Sequence, residues 1–316
     1  MRLHTWLTLG RASNLPSVWS NVFAAALIAQ TSLNTKILGN DALSTGAMDN
    51  EAWIPGSLSL QIMLWTGCLL SLSLMYLGGM FLNDAFDANW DRRNNNTRPI
   101  AQGKVSVAAV WLNGLGMLVL GMGLAGSLYQ RAVPGQAVYG WVAVGLLATL
   151  ILLYNLVHKR FKHSAVLMGG CRLSVYLIAA LMLAEITPEL FLAALALCLY
   201  ISGITYVARE EHTNKVSQLW SVGLLFLPVF LVSLLGYSFP FFWLYACGLS
   251  LYLLDTLRRC LFTPHKNVRG FIGGLLAAIP LLDGLMLASM NLILPSLLCV
   301  AVFFIMPGLQ KWIQAT

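Results

Sequence analysis

The stretch best suited to chemistry is Asn83–Asp91, a polar segment that follows a long apolar run. Asp84, Asp87 and Asp91 are spaced three and four residues apart, so on an α-helix their side chains share one face. Three carboxylates on one face repel one another unless a cation lies between them, and Mg²⁺ is held in proteins by carboxylates together with phosphate oxygens. The pattern therefore predicts a metal site. The alternative is a solvated helix end whose acids pair with the arginines that follow.

The composition decides the class of protein that carries this segment. The 316-residue chain is 58% hydrophobic and only 10% charged, with a mean hydropathy of +0.75. Soluble domains contain about 25% charged residues, so a water-soluble globular domain is excluded. The predicted fold class is an all-α polytopic membrane protein, organised as a single membrane domain over residues 1–316.

Several apolar runs reach the roughly 20 residues that a helix needs to cross a bilayer. We expect nine spans, at residues 15–33, 57–82, 105–128, 138–157, 164–186, 190–208, 218–236, 241–257 and 270–290. A last apolar run, 292–309, contains Pro295 and Pro307. It is either a tenth span or a terminal segment packed at the surface, so the expected bundle has nine or ten transmembrane helices.

Lysine and arginine are distributed unevenly between the loops. The expected spans put fifteen of them on one side and only Lys36 and Arg131 on the other. Positive charge accumulates on the cytoplasmic side of membrane proteins, which predicts that the aspartate segment faces the cytoplasm. The formal net charge of +7 is then a topology signal and requires no nucleic-acid partner. We expect a multi-pass integral protein of a bacterial or organellar inner membrane.

Four cationic residues follow the aspartates closely: Arg92, Arg93, Arg98 and Lys104. Acids that hold a metal ion beside bases that hold phosphate oxygens would match both charges of a metal–diphosphate complex. Arg92 and Arg93 could equally be topology anchors. Arg98 precedes a proline in a turn that re-enters the membrane, so it is the better candidate for a ligand contact.

These residues form one long pattern: Asn83-Asp84-x-x-Asp87-x-x-x-Asp91, then Arg98-Pro99, then Gly103-Lys104-Val105-Ser106. The pattern resembles the first aspartate-rich motif of the UbiA-type intramembrane prenyltransferases. The resemblance implies a helical bundle around a central cavity that opens sideways to lipid. It also implies Mg²⁺-dependent transfer of a prenyl group from an isoprenyl diphosphate to an aromatic or otherwise lipophilic acceptor inside the membrane. Asp84, Asp87 and Asp91 would bind the metal, and Arg98 would act beside them in catalysis.

Further substrate-binding candidates lie near the cytoplasmic ends of the spans: Arg11, Asn14, Asn83, Lys104, Tyr154, Lys159 and Arg172. Tyr154 and Lys159 are similar in kind to a tyrosine and a basic pair that the family carries near the end of its fourth span. Lys159 could instead be a topology anchor. Arg172 falls inside the fifth apolar run, where a charge costs at least about 2.5 kcal/mol unless it faces a polar interior or snorkels. We therefore expect Arg172 to face the cavity.

The family's second aspartate-rich motif corresponds to Gly203–His212, which contains no aspartate. Its two acids are adjacent and diverge by about 100° on a helix, so one of them is expected to face the cavity. Glu210 is the candidate for catalysis and metal binding, while Tyr206, Arg209 and Glu211 are candidates for substrate binding. The alternative is that both glutamates are solvated at a helix end, and the number of metal ions stays open. This Arg-Glu-Glu variant resembles the EboC-like branch of the family.

Two acids lie in later spans. Asp255 is expected to pair with Arg258 at i, i+3. Asp283 lies deep in the ninth span, where an ionisable side chain is a functional candidate by default. It would orient the acceptor or accept its proton, or it would be a buried neutral acid with a backbone partner.

Breaking the allylic bond would leave a cation that aromatic faces stabilise. The aromatic residues expected near the cavity mouth are Tyr76, Phe81, Trp111, Tyr154, Tyr176 and Tyr206. The main alternative function is a non-catalytic or lipid-binding scaffold derived from a prenyltransferase, because the second motif lacks aspartate. A transporter usually shows paired interrupted helices in two related halves, and no such repeat is visible. A CDP-alcohol phosphotransferase would carry its aspartates in a different sequence motif.

Overall fold

The computed structural model describes residues 3–41, 58–94, 98–209, 211, 219–236, 240–262 and 267–313. Regular structure in these ranges is entirely helical. The α-helices are α1 (Leu3–Leu9), α2 (Leu15–Asp41), α3 (Leu58–Arg93), α4 (Val107–Ala132), α5 (Ala137–Val157), α6 (Ser164–Leu183), α7 (Pro188–Ala208), α8 (Leu219–Gly236), α9 (Pro240–Leu261), α10 (Val268–Ala277), α11 (Ile279–Ser289) and α12 (Ile293–Trp312).

The helices confirm the polytopic membrane class. Among the described residues, eight helical segments are long and apolar enough to cross a membrane, counting α10 and α11 as one segment. The bundle also contains the 27-residue helix α2 and the shorter apolar helix α8. Large apolar side chains cover the outside of the bundle, as Leu112, Leu120 and Phe304 do with 65% or more of their surface exposed. Such a surface suits lipid and not water.

Several helix boundaries differ from the sequence prediction, and two regions bear on the site and on the number of spans. α3 does not end at residue 82 but continues to Arg93, so the whole aspartate segment is helical. The last apolar run forms the continuous helix α12, with Pro307 inside it and Pro295 in its first turn. Proline is tolerated in a first turn because the N–H groups there have no helical partner. The run is therefore long enough to serve as the tenth span.

The ninth span is broken in its middle. α10 ends at Ala277 and α11 begins at Ile279, one residue before Pro280. Proline has no N–H to donate to the preceding turn, which explains why the helix restarts there. The break, at Ala278, lies five residues before Asp283, which is therefore carried by the second of the two helices.

Small residues bring the helices close together. A Cβ atom placed on Gly78 of α3 would lie 2.8 Å from the carbonyl oxygen of Gly114 in α4. One placed on Gly169 of α6 would meet the carbonyl oxygen of Cys198 in α7. Close backbone approach of this kind is the usual packing mode between helices in membranes. The α3–α4 contact fixes the helix that carries the aspartates.

A cavity of about 1030 Å³ lies inside the bundle. Its walls are formed mainly by residues of α2, α3, α5, α6, α7 and α10, with α1 and α12 contributing at one end. Apolar side chains such as Leu72, Leu147, Val175 and Ile204 line one part, and the aspartates with several cations line another. The predicted central cavity is confirmed.

Candidate active site

The three aspartates of α3 share one helix face that borders the cavity, as their spacing predicts. Asp84 and Asp87 are each 5% exposed and Asp91 is 1% exposed. The guanidinium nitrogen Nη1 of Arg98 lies 3.1 Å from Asp84 Oδ1, 3.3 Å from Asp87 Oδ2 and 3.2 Å from Asp91 Oδ2. One cationic nitrogen thus holds all three carboxylates together.

Arg98 reaches this position because its loop is anchored at several points. Lys104 N donates to the Pro99 carbonyl at 3.0 Å, and Gly103 N donates to the Ile100 carbonyl at 3.1 Å. Gly103 has φ +69°, a left-handed conformation that glycine adopts without strain. Ile100 and Val105 are buried, which ties the loop to the core. The Gly-Lys of the motif therefore shapes the turn that presents Arg98.

The electrostatics of this cluster favour a charged Arg98. Burial by itself lowers the pKa of the guanidinium, but the carboxylates of Asp84, Asp91 and Asp87 outweigh it and raise the pKa above its ordinary value. The guanidinium therefore stays cationic and neutralises part of the acidic charge.

The end of α5 supplies two more contacts to Asp87. Lys159 Nζ lies 2.8 Å from Asp87 Oδ1 and 3.7 Å from the ring centroid of Trp90. His158 Nε2 lies 3.3 Å from the same oxygen, and its ring stacks on Tyr154 with centroids 5.2 Å apart. The structure brings Lys159 and Tyr154 to the cavity as predicted from the sequence. Sequence reasoning missed His158 and Trp90, although each adjoins or lies within a predicted segment.

The donor set suits a hard cation, but the carboxylates are already occupied by protein cations. In the described part of the chain, no group of three or more His, Cys, Asp or Glu side chains is arranged to bind a metal ion directly. The oxygens of Asp84, Asp87 and Asp91 nevertheless converge on one cationic atom, Arg98 Nη1. Carboxylate oxygens in this arrangement are the ligands that Mg²⁺ prefers. The residues fit Mg²⁺ provided that the metal takes the place of the guanidinium.

The turn before α2 contributes Arg11 and Asn14, and both line the cavity. Arg11 Nη2 lies 3.9 Å from Asp84 Oδ1. The backbone of Arg11 has φ 44° and ψ 47°, a left-handed conformation that costs a non-glycine residue about 1–3 kcal/mol. The Tyr76 hydroxyl donates to the Arg11 carbonyl at 3.4 Å, and Arg11 Nη1 approaches Met80 Sδ at 3.8 Å. This turn aims a cation at the aspartates.

Asn83 borders the cavity, and its side chain also holds α3 against α5. Its Nδ2 donates to Asn155 Oδ1 at 3.0 Å, and Asn155 Nδ2 donates to the Gly79 carbonyl at 3.2 Å. Asn155 is 4% exposed and was not singled out from the sequence. The first residue of the motif therefore positions the aspartate helix through a buried amide pair.

Arg172 lines the cavity, as its place in an apolar run predicts. It does not contact the aspartate cluster. Its Nη1 donates to Asn21 Oδ1 at 2.8 Å and its Nη2 donates to Ser17 Oγ at 3.2 Å. Its guanidinium carbon lies 5.5 Å from the Tyr76 ring centroid. These partners are residues of α2 and α3.

The structure describes only part of the second motif. Glu210, the predicted catalytic and metal-binding acid, lies outside the described residues. Glu211 lines the cavity and pairs with Arg269 of α10, with 2.8 Å between Oε1 and Nε. Arg209 also lines the cavity, but its Nη1 donates to the carbonyls of His158 and Phe161, and so clamps the loop between α5 and α6.

Tyr206 is not among the cavity-lining residues, contrary to its expected role in substrate binding. Its hydroxyl lies 3.1 Å from His163 Nδ1, and its ring packs edge-on against Trp220 with centroids 4.6 Å apart. The helix turns this side chain toward α8 and away from the cavity. Lys104 does line the cavity, at the end of the Arg98 loop.

The aromatic residues expected at the cavity mouth separate into two groups. Tyr76 and Tyr154 line the cavity. Phe81 stacks on Trp6 of α1, and Trp111 packs against Phe86; neither lines the cavity. Tyr176 is likewise absent from the lining and is fully buried behind it. The prediction was wrong for these three and for Tyr206, because aromatic side chains on other helix faces fill helix–helix contacts.

The expectations for the two later acids need correction. Asp255 pairs with Arg259 at i, i+4, with 2.8 Å between Oδ1 and Nε, and not with Arg258. Asp283 is 0% exposed and does not line the cavity, so it does not touch an acceptor there. Its partners are side chains of Ser20, Asn21 and Tyr176 and not the backbone.

Fold and site together define a multi-pass membrane protein with a carboxylate–cation cluster at one end of a largely apolar cavity. Residues 45–217, more than half of the chain, match the UbiA prenyltransferase family. The chain belongs to this family, which confirms the resemblance drawn from the aspartate motif. No curated protein matches the chain in sequence.

Two solved structures are similar to this chain over most of its length. One, described as digeranylgeranylglyceryl phosphate synthase, has 17% sequence identity and a TM-score of 0.56, over 93% of this chain and 98% of that chain. A UbiA homologue from Archaeoglobus fulgidus, solved with GPP and Mg²⁺ bound, has 14% identity and a TM-score of 0.46, over 96% of this chain and 99% of that chain. The likeness to the first of these structures concerns the fold alone.

Proposed function

We propose that the chain transfers a prenyl group from an isoprenyl diphosphate to a lipophilic acceptor inside the membrane, with Mg²⁺ as cofactor. The observation that carries this proposal is the convergence of three buried carboxylates and three cations at one end of a cavity whose other walls are apolar. A metal–diphosphate head and an apolar tail need these two environments side by side. The proposal places this end of the bundle at the cytoplasmic side, following the charge distribution of the loops.

Each group has a role in the reaction. Bound by Asp84, Asp87 and Asp91, Mg²⁺ would neutralise the charge that develops on the diphosphate oxygens. Arg98 and Lys159 are placed to interact with the same oxygens and stabilise the departing diphosphate as it takes the electron pair of the allylic C–O bond. Fixed charges in a buried site act more strongly than they would in water.

The cavity walls would protect the allylic cation. The rings of Tyr76 and Tyr154 face the cavity and offer π faces to a positive charge. Apolar residues such as Leu72, Leu147 and Val175 exclude water, which would otherwise capture the cation before the acceptor does. The acceptor then forms the new bond to carbon and loses a proton.

The test is binding of geranylgeranyl thiodiphosphate, a slowly reacting donor analogue, to purified protein with and without Mg²⁺. We expect Mg²⁺-dependent binding to the wild type, its loss in Asp84→Asn, and its retention in Asp255→Asn. Asp255 is a matched control because it is a half-exposed aspartate paired with Arg259 outside the cavity.

Absence of binding in the wild type for the geranyl, farnesyl and geranylgeranyl analogues alike would overturn the proposed function. A non-catalytic or lipid-binding scaffold would then be the better description, since the carboxylates are already neutralised by protein cations. Equal binding by Asp84→Asn would also contradict the assignment of the metal ligands.

A further inference from the structure

Behind the cavity wall, polar side chains of three helices form a continuous hydrogen-bonded row. Tyr176 of α6 donates to Asp283 of α11 at 2.6 Å. Asn21 of α2 donates from Nδ2 to both carboxylate oxygens of Asp283, at 3.0 and 2.9 Å. The Oδ1 of the same amide accepts from Arg172 Nη1 at 2.8 Å. The row begins at a residue with no exposure and ends at one that lines the cavity.

The partners of Asp283 indicate its charge state. Asn21 can only donate through its Nδ2 atom, and the hydroxyls of Ser20 and Tyr176 lie within donating distance of the carboxylate. An ionised carboxylate accepts hydrogen bonds only, and this environment satisfies both of its oxygens. A buried negative charge needs a positive partner, and the nearest one along the row is Arg172.

Asn21 couples the position of the Asp283 carboxylate to the position of the Arg172 guanidinium. Its amide has one donor end and one acceptor end, so an NH₂ group fixed on a carboxylate turns the oxygen in the opposite direction. That oxygen meets Arg172, whose second nitrogen is held by Ser17. The guanidinium is thereby fixed beside Tyr76 at the cavity wall. A rotated amide would present a donor to a donor and release Arg172.

We propose that Asp283 is a positioning residue that acts on the cavity through Asn21 and Arg172. It neutralises the buried guanidinium and fixes the amide that aims it, so that Arg172 is held ready to bind the diphosphate of the donor. The inference rests on the proposed function. It assigns a role in substrate binding to a side chain that no substrate reaches.

The experiment measures the Kd of geranylgeranyl thiodiphosphate with Mg²⁺ for four proteins: wild type, Asp283→Asn, the double variant Asn21→Asp/Asp283→Asn, and Tyr176→Phe. Asp283→Asn removes the charge and leaves an amide facing an amide, and we expect about a tenfold rise in Kd. The double variant moves the carboxylate onto Arg172 and keeps a donor beside it. We expect its Kd to return to within about threefold of the wild type.

Tyr176→Phe is the matched structural control. It removes one hydrogen bond from Asp283 but leaves the row from Asp283 to Arg172 intact, so Kd should stay within about threefold of the wild type while the melting temperature falls. If Asp283 served only to satisfy Tyr176 and Ser20, the double variant would bind no better than Asp283→Asn. That result would overturn the inference.

The double variant also answers the question if Asp283→Asn does not fold, because it retains the charge of the row and should fold and bind. Wild-type affinity in Asp283→Asn would overturn the positioning role while leaving the proposed function in place. Absence of analogue binding by the wild type would instead overturn the proposed function, and with it the substrate that this inference assigns to Arg172.

Discussion

Two sites in this bundle combine aspartate with arginine, and they are built in opposite ways. At one end of the cavity, Asp84, Asp87 and Asp91 surround one nitrogen of Arg98, whose side chain is 28% exposed and lies on a loop. Behind the wall, Asp283 is 0% exposed and reaches Arg172 only through an intervening amide. Both combine opposite charges in an apolar bundle, but only the first presents its carboxylates to the cavity.

The difference shows how one pair of residue types serves two purposes. Under the proposed function, Arg98 would give up its contacts with the carboxylates when a metal ion and a diphosphate bind in the cavity. The carboxylate of Asp283 is fully buried and accepts hydrogen bonds from side chains of two other helices, α2 and α6, so it suits a fixed support. Exposure and position relative to the cavity distinguish the two sites, and the residue types do not.

The largest expected effect comes from replacing a carboxylate of the cavity cluster, with an exposed aspartate outside the cavity as the control. Asp84→Asn removes a proposed metal ligand, and we expect kcat/KM for prenyl transfer to fall at least about 100-fold. Asp255→Asn, on the outside of α9, should leave it unchanged because an exposed ion pair contributes little. Steady-state kinetics with a radiolabelled donor measure both. Comparable losses in the two variants would argue that the cluster is not a specific site.

A second test removes the exchangeable cation. In Arg98→Ala the carboxylates lose their internal partner, so Mn²⁺ should bind more tightly in the absence of donor while donor binding weakens about tenfold. Electron paramagnetic resonance titration with Mn²⁺ follows the first effect. Arg92→Ala is the control, because Arg92 is exposed at the end of α3, the helix that carries the aspartates, and does not line the cavity. Weaker Mn²⁺ binding in Arg98→Ala would mean that Arg98 supports the metal ligands and does not compete with the metal.

A third test concerns the packing of α3, the helix that carries the aspartates of the first site, against α4. Gly78→Ala places a methyl group 2.8 Å from the Gly114 carbonyl oxygen and 2.9 Å from the Leu118 nitrogen. Overpacking against backbone should cost about 1–3 kcal/mol and lower the melting temperature in detergent. Gly116→Ala, which has no neighbour within 4 Å, should not. Unchanged stability of Gly78→Ala would show that α3 and α4 are packed less tightly than described.

The smallest expected effect concerns the buried hydrogen-bond network around Asp283. Ser20→Ala removes one of the hydroxyls on Asp283 but leaves Asn21 and Tyr176 in place. We expect a loss of about 1 kcal/mol in stability and no measurable change in the Kd of the donor analogue. Thermal unfolding and analogue binding on the same preparation test this. A large loss of affinity for the analogue would mean that every hydrogen bond to Asp283 is needed to hold its carboxylate in place.

Much of the fold and of the first site could be predicted because their signals are local. Apolar runs of bilayer length predict spans without any knowledge of neighbours, and spacings of three and four residues place Asp84, Asp87 and Asp91 on one face. Arg98 was predicted to be a site residue because it lies in the same motif as the three aspartates that it contacts. The broken ninth span was missed, although Pro280 within the apolar run marks it.

Predictions that depended on how helices face each other were less successful. Tyr176 and Tyr206 are as aromatic as Tyr76 and Tyr154, yet only the latter two line the cavity. The sequence indicates on which face of its own helix a side chain lies. It does not indicate which neighbouring helix that face contacts. His158 escaped notice for the same reason, since its contact with Asp87 joins two helices distant in sequence.

The sequence by itself determined the membrane class, the expected orientation of the loops and the identity of the acidic motif. Each follows from composition or short-range spacing, which the chain carries whatever its packing. Only the tertiary structure decided that Arg98 lies among three carboxylates and that Asn21 joins Asp283 to Arg172. These contacts connect α3 to a loop, and α2 to α6 and α11. They exist because helices far apart in sequence pack side by side, which no local pattern encodes.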